Sequence, residues 1–199
     1  LEAVALPGGR TLVTLTLDVP TNLPPLPRAG VSFTIPRDFS RVTWEGRGPH
    51  ENYADRCVAA DFGTYSATVG LVSGIVGARG TIDYPADRLN PDNYIEPGEQ
   101  GHRSDCRRVT FANAAGRTVT VTALNAPFGF SAWPYAQGAL EQAKHQWDLT
   151  DEGVITVTID AVQMGVGGDD SWGARPHEPY LPGAGRYVLQ FAVTEEEGR

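Results

Sequence analysis

The run Gln163-Met164-Gly165-Val166-Gly167-Gly168-Asp169-Asp170-Ser171-Trp172 places two carboxylates and an indole at the end of a glycine-rich loop. Such a loop can cradle phosphate through its backbone N–H groups, usually with help from a Lys or a helix N-terminus. Asp169 and Asp170 would repel that anion. A carbohydrate suits them better, because its hydroxyls donate to carboxylates and its C–H face packs on an indole ring. Trp172 is therefore the candidate sugar contact, placed on a loop by the small or polar residues Gly167 to Ser171 before it. The competing reading is a core tryptophan, the commoner fate of this residue type. Asp169 and Asp170 read either as turn residues bonded to their own backbone or as supports of the Trp172 loop. Gly167 and Gly168 are expected to supply unusual backbone angles. The alternating oxygen ligands that a calcium loop needs are missing.

Two further stretches are dense in hydrogen-bonding groups. In Gly46 to Arg56, His50 and Glu51 could act as a general base and its partner. The alternative, which we favour, is a structural loop held by ion pairs among Arg47, Glu51, Asp55 and Arg56. In His102 to Arg107, His102 and Cys106 invite a metal or thiol reading, but further ligands at close spacing are lacking, and His145 and His177 are isolated. No serine or cysteine stands in a nucleophile elbow. A retaining glycosidase needs two carboxyl groups about 5 to 5.5 Å apart. With 24 Asp and Glu residues chance pairs are certain, so their number identifies none. We assign no catalytic residue and no metal ligand to this chain.

The elements that must carry these groups are strands. Period-two alternation runs through Thr11 to Leu17, Arg117 to Thr122 and Val154 to Ile159. Further strands are expected at Val31 to Ile35, Arg41 to Trp44, Thr64 to Val72, Val109 to Ala112 and Tyr187 to Thr194, with Pro, Gly and Asn between them. The expected architecture is an all-β antiparallel sandwich, one domain over residues 1–199, with one short helix over Gln137 to His145 behind Pro134. Gly74 to Pro97 reads as a long loop, and residues 195–199, which include the run Glu195 to Glu197, as a disordered tail. Trp44, Trp133 and Trp147, with Phe128, Phe130 and Tyr135, are expected in the core or at a subunit contact.

A chain of 199 residues can bury a real core. Its formal charge of -8 argues against nucleic acid and against an anionic membrane surface. There is no run near the ~20 apolar residues of a membrane span and no signal-peptide pattern, so a soluble, cytoplasmic protein is expected. Cys57 and Cys106 are expected as free thiols. The start at Leu1, without Met, is read as a cut from something longer.

The sequence MGVGGDDSW, followed by GRYVLQF at Gly185 to Phe191, resembles the C-terminal end of bacterial β-galactosidases of glycoside hydrolase family 2. LPRAGVSF at Leu26 to Phe33, WEGRGPHENYADR at Trp44 to Arg56, the Tyr94 to Arg108 stretch around GEQGHRSDCR, and FSAWPY at Phe130 to Tyr135 resemble that family's last domain in the same order. The resemblance implies a sandwich of the galactose mutarotase type, incomplete on its N-terminal side, with an exposed edge or face and a tendency to self-associate. It implies that Trp172 completes a galactoside site whose catalytic carboxylates lie in a barrel, on the same polypeptide or on a separate large subunit. Any magnesium or sodium of the intact enzyme would then lie mostly in that barrel, leaving this chain without a cofactor. Two rivals remain: a free-standing mutarotase using His50 or His102 with a carboxylate, and a carbohydrate-binding module with Trp172 and Tyr180 as its platform.

Overall fold

The computed structural model describes residues 1–69, 100–145, 148–150, 152–170 and 172–198. Among the described residues, eleven strands form two wholly antiparallel sheets. The larger contains, in spatial order, β1 (Glu2–Leu6), β2 (Arg10–Val19), β11 (Gly185–Glu196), β8 (Thr118–Ala123), β7 (Arg108–Ala112), β4 (Arg41–Gly48) and β5 (Asp61–Thr68). The smaller has the order β3 (Arg28–Pro36), β10 (Val154–Gln163), β9 (Phe128–Trp133) and β6 (Arg103–Cys106). The short helix α1 (Gln137–Gln142) lies between β9 and β10 in the chain. None of the helices among the described residues is long and apolar enough to cross a membrane.

The alternation in the sequence becomes the division between the sheets' faces. On the larger sheet Val13, Val42, Trp44, Val109, Phe111, Val119, Val121, Leu189 and Phe191 point inward. They meet Ile35, Cys106, Phe128, Phe130, Ala132, Ile155, Val157 and Ile159 of the smaller sheet. The outward face of the larger sheet carries hydroxyls paired across strands, Thr110 with Thr120 at 3.0 Å and Thr43 with Ser66 at 3.1 Å. The β7–β8 hairpin is closed by Asn113, whose Oδ1 accepts the N–H groups of Ala115 and Arg117 at 3.0 Å, with Gly116 at φ +79°.

Strand β10 is buried on both faces, so Thr156, Thr158 and Asp160 are as enclosed as Val157 and Ile159 between them. The second cover is a small cluster of Trp133, Tyr135 and Leu140, and Thr156 Oγ1 donates to the Tyr135 carbonyl at 2.8 Å. At its far end β10 is bulged between Asp160 and Val162 and runs into the glycine-rich loop, where Met164 N–H donates to the Pro27 carbonyl. That loop crosses from the smaller sheet to the larger one, which it enters at Gly185.

The expected strands are present, with three more at β1, β6 and β9. Strand β5 ends at Thr68, and the part of the expected strand beyond Val69 lies outside the described residues, as do Trp147, all of Gly74 to Pro97, and the start of the Tyr94 to Arg108 stretch. Trp44 and Trp133 are buried, and both cysteines are free, Cys57 on a loop and Cys106 at the end of β6. The helix stops at Gln142, and the chain then turns around Asp148, whose Oδ2 accepts the N–H groups of Lys144 and His145. Glu195 and Glu196 are not part of a disordered tail. They extend β11 opposite Val119 and Thr118, because the ladder supplies their backbone with partners, and Glu197 then meets Arg117 at 3.2 Å.

Phe111 lies at the centre of the core. Phe111→Ala is expected to cost about 3–5 kcal/mol of unfolding free energy, read from the midpoint shift of a urea titration at unchanged m-value.

Candidate functional site

The loop after β10 holds Trp172 almost wholly in solvent, 93% exposed. Its backbone is ordered by hydrogen bonds to carboxylates, two of them on the loop itself. Asp170 Oδ1 accepts Trp172 N–H at 2.8 Å and Ala174 N–H at 3.1 Å, turning the chain sharply beneath the indole. Asp169 Oδ1 lies 2.8 Å from His177 Nε2, tying the loop's outgoing arm back on itself. Gly165 N–H donates to the Tyr180 carbonyl at 2.9 Å, just inside the short 3-10 turn Glu178–Tyr180. Tyr180 is thus part of the loop's base, 37% exposed.

The remaining support comes from more than a hundred residues away. Asp55 Oδ2 accepts Gly167 N–H at 2.6 Å, and its Oδ1 accepts Val166 N–H at 3.1 Å. The glycine-rich loop is therefore an anion cradle after all, filled by a carboxylate of the same chain. Asp169 and Asp170 do not prevent this, since both are bonded elsewhere in the loop. The glycines follow from that geometry rather than from backbone angles: neither Gly167 nor Gly168 has a positive φ. A Cβ on Gly165 would come 2.6 Å from the Asp55 carboxylate, one on Gly167 3.1 Å from it, and one on Gly168 would run into the Ala174 carbonyl. Gly173, at φ +108°, is the loop glycine that needs its missing side chain for conformation.

Asp55 stands on the Gly46 to Arg56 block, and its expected ion-pair network takes a different form. Arg47 pairs with Asp105 at 2.5 Å and donates to the Ala60 carbonyl, while Asp55 spends both oxygens on backbone N–H groups. Glu51 accepts Gly101 N–H at 2.8 Å. Buried Asn52 accepts both N–H and hydroxyl of Ser104 and donates to the His50 carbonyl, and its own N–H donates to the His102 carbonyl. Buried Arg103 donates to the carbonyls of Pro49 and Gly101 and stacks 5.3 Å over Trp44. The two polar blocks are thus one interlocked base under the loop. Burial lowers the Arg103 pKa to about 10, with the nearby Glu51 charge opposing that shift.

His50 is exposed, whereas His102 is buried, stacked on Tyr53 with ring centres 5.4 Å apart, and closely packed on Gly129. Burial, reinforced by the charges of Arg103 and Arg28, lowers the His102 pKa to about 3. Its ring is therefore held neutral around pH 7. Burial also raises the Cys106 pKa, so that thiol is protonated and inert as a nucleophile. Among the described residues no three His, Cys, Asp or Glu side chains gather in a metal-holding group.

A family model described as the β-galactosidase small chain matches residues 7–72 and 86–193. A β-galactosidase of Pseudoalteromonas haloplanktis is 37% identical over 185 residues, 92% of this chain. One of Halalkalibacterium halodurans is 35% identical over 159 residues, and one of Streptococcus thermophilus 32% identical over 186, or 80% and 93% of this chain. The chain spans only 14–16% of the length of these relatives.

The buried neutral His102 makes stability depend on pH. Its ordinary value is 6.5 and its folded value about 3, so the unfolded chain binds the proton first as pH falls. The contribution is intact above about pH 6.5 and is lost progressively towards pH 3. Thermal unfolding followed between pH 7 and 4 is expected to show a falling midpoint, with a shallower fall in His102→Gln.

Proposed function

Because this chain belongs to the β-galactosidase small-chain family, we propose that it is the C-terminal accessory domain of an enzyme hydrolysing terminal β-D-galactosides such as lactose. In this reading it lends Trp172 to a sugar site whose catalytic carboxylates lie on a barrel outside the chain, on the same polypeptide or on a large subunit. The observation that carries the proposal is the 93% exposed indole on a loop built to hold it. Burying that ring would be favourable by itself, so leaving it in water makes sense for a surface with a ligand to cover.

The chemistry divides accordingly. Acid/base and nucleophilic steps, with any magnesium or sodium, belong to the barrel. Trp172 offers an apolar face to the sugar's C–H face, strengthening binding without touching the reacting bond. In this reading Glu51 and His102 take no catalytic part, since Glu51 accepts the Gly101 N–H and His102 is buried in the base. Assembly has its own candidate surface: β1 is an edge strand exposed along its whole length, with Val4 and Leu6 in solvent, suited to self-association or to cover by the rest of the enzyme. The working compartment would be the cytoplasm.

With a chromogenic galactoside, the isolated chain is expected to show no hydrolysis, while the complete enzyme hydrolyses it. In the complete enzyme Trp172→Ala is expected to raise KM about fivefold, the equivalent of losing roughly 1 kcal/mol of stacking. An unchanged KM would remove Trp172 from the sugar site, and turnover by the isolated chain would overturn the accessory role.

A further inference from the structure

Trp172 is held by its loop, and the loop is held from outside by a charged group, the Asp55 carboxylate. Asp55 is fixed before the loop reaches it. The turn carrying it is closed by hydrogen bonds between Tyr53 and Arg56, at 2.8 and 3.3 Å, and Tyr53 stacks on the buried His102. The carboxylate thus belongs to the base of the domain, whereas the N–H groups it accepts belong to the loop.

Two consecutive N–H groups aimed at one carboxylate make a charge-assisted pair, stronger and shorter than neutral hydrogen bonds. A continuous line of contacts leads from there to the indole. Gly167 is bonded to Asp55, Gly168 is packed against the Ala174 carbonyl, Ala174 N–H is bonded to Asp170, and the same Asp170 oxygen holds Trp172 N–H. Moving Val166 and Gly167 therefore moves the turn on which the indole stands. Glutamate in place of Asp55 would be too long, because the loop backbone at Gly165 and Gly167 is already against the carboxylate.

Resting on the reading of Trp172 as a sugar contact, we infer that Asp55 is a positioning residue for the galactoside site. Its carboxylate sets the backbone of Val166 and Gly167, and through it the place at which the Trp172 ring meets the sugar. Asp55 touches neither the substrate nor the reacting bond. It acts through Trp172 alone.

The test is lactose kinetics of the complete β-galactosidase carrying this domain, as wild type, Trp172→Ala, Asp55→Asn and the double variant. Asn keeps the shape but sets an NH2 group against one of the two N–H groups. Asp55→Asn is expected to raise KM by at least half the factor seen for Trp172→Ala, with kcat within about twofold of wild type. The double variant is expected to have a KM no higher than Trp172→Ala alone, because two changes acting through one ring do not multiply. Gly167→Ala, which presses a methyl group onto the same carboxylate, supplies the same readout if Asp55→Asn does not accumulate. A wild-type KM for Asp55→Asn beside a raised KM for Trp172→Ala would overturn the inference and leave the sugar-contact reading standing. So would factors that multiply in the double variant, or a fall in kcat at unchanged KM. A wild-type KM for Trp172→Ala would sink the sugar-contact reading, and this inference with it.

Discussion

A tryptophan left in water gains nothing from burial, so something other than packing must set its position. Most large side chains in this protein are located by the core: Trp44 between Tyr65 and Phe130, Phe111 and Phe191 between the sheets. Trp172 has no such packing and depends on hydrogen bonds made by its backbone neighbours. Those bonds need acceptors fixed in space, and the fixed acceptors are carboxylates. Asp170 works within the loop, and Asp55 reaches it from the base.

The base is rigid because its polar groups are spent on one another. The connection from β4 to β5 and the approach to β6 share Asn52 with Ser104, Glu51 with Gly101, and Arg103 with the carbonyls of Pro49 and Gly101. Buried polar groups cost free energy unless they are paired, and a paired network holds one geometry and resists others. Side chains that look reactive on paper are used here as fasteners: the His102 ring is neutral, the Cys106 thiol is protonated, and Asp105 is occupied by Arg47. A domain with its polar groups spent in this way is well suited to present a ring and poorly suited to transfer protons. The β-galactosidases to which it is similar are much longer, and the chain spans only 14–16% of their length.

The strands were legible where one face meets the core and the other meets solvent, as in Thr118–Ala123 and Arg108–Ala112, because that environment writes a period of two into the residues. Strand β9, FGFSAW, escaped that reading because both of its faces are covered, which removes the alternation. Strand β6 has four residues, too few for a period, and β1 is exposed on both faces, so no pattern marks a core side. The acidic run at Glu195 was misread for a related reason. Charge predicts solvation of side chains, but the backbone beneath solvated side chains can still be paired, here as the end of β11 against β8.

The sequence by itself determined the sandwich, its strand alternation, the family, and the presence of an indole and two aspartates on one glycine-rich loop, since each of these is local or carried by residue type. Tertiary structure alone decided which anion that loop would cradle. Asp55 lies 112 positions from Gly167, and nothing in the chemistry of either stretch names the other. The same holds for the glycines: unusual backbone angles are the expectation for Gly167 and Gly168, but there, as at Gly165, the reason is that another part of the chain occupies the space a Cβ would need. Local sequence encodes what a residue prefers. Close approach between distant segments depends on where the sheets bring them, and it is visible only once the chain has folded.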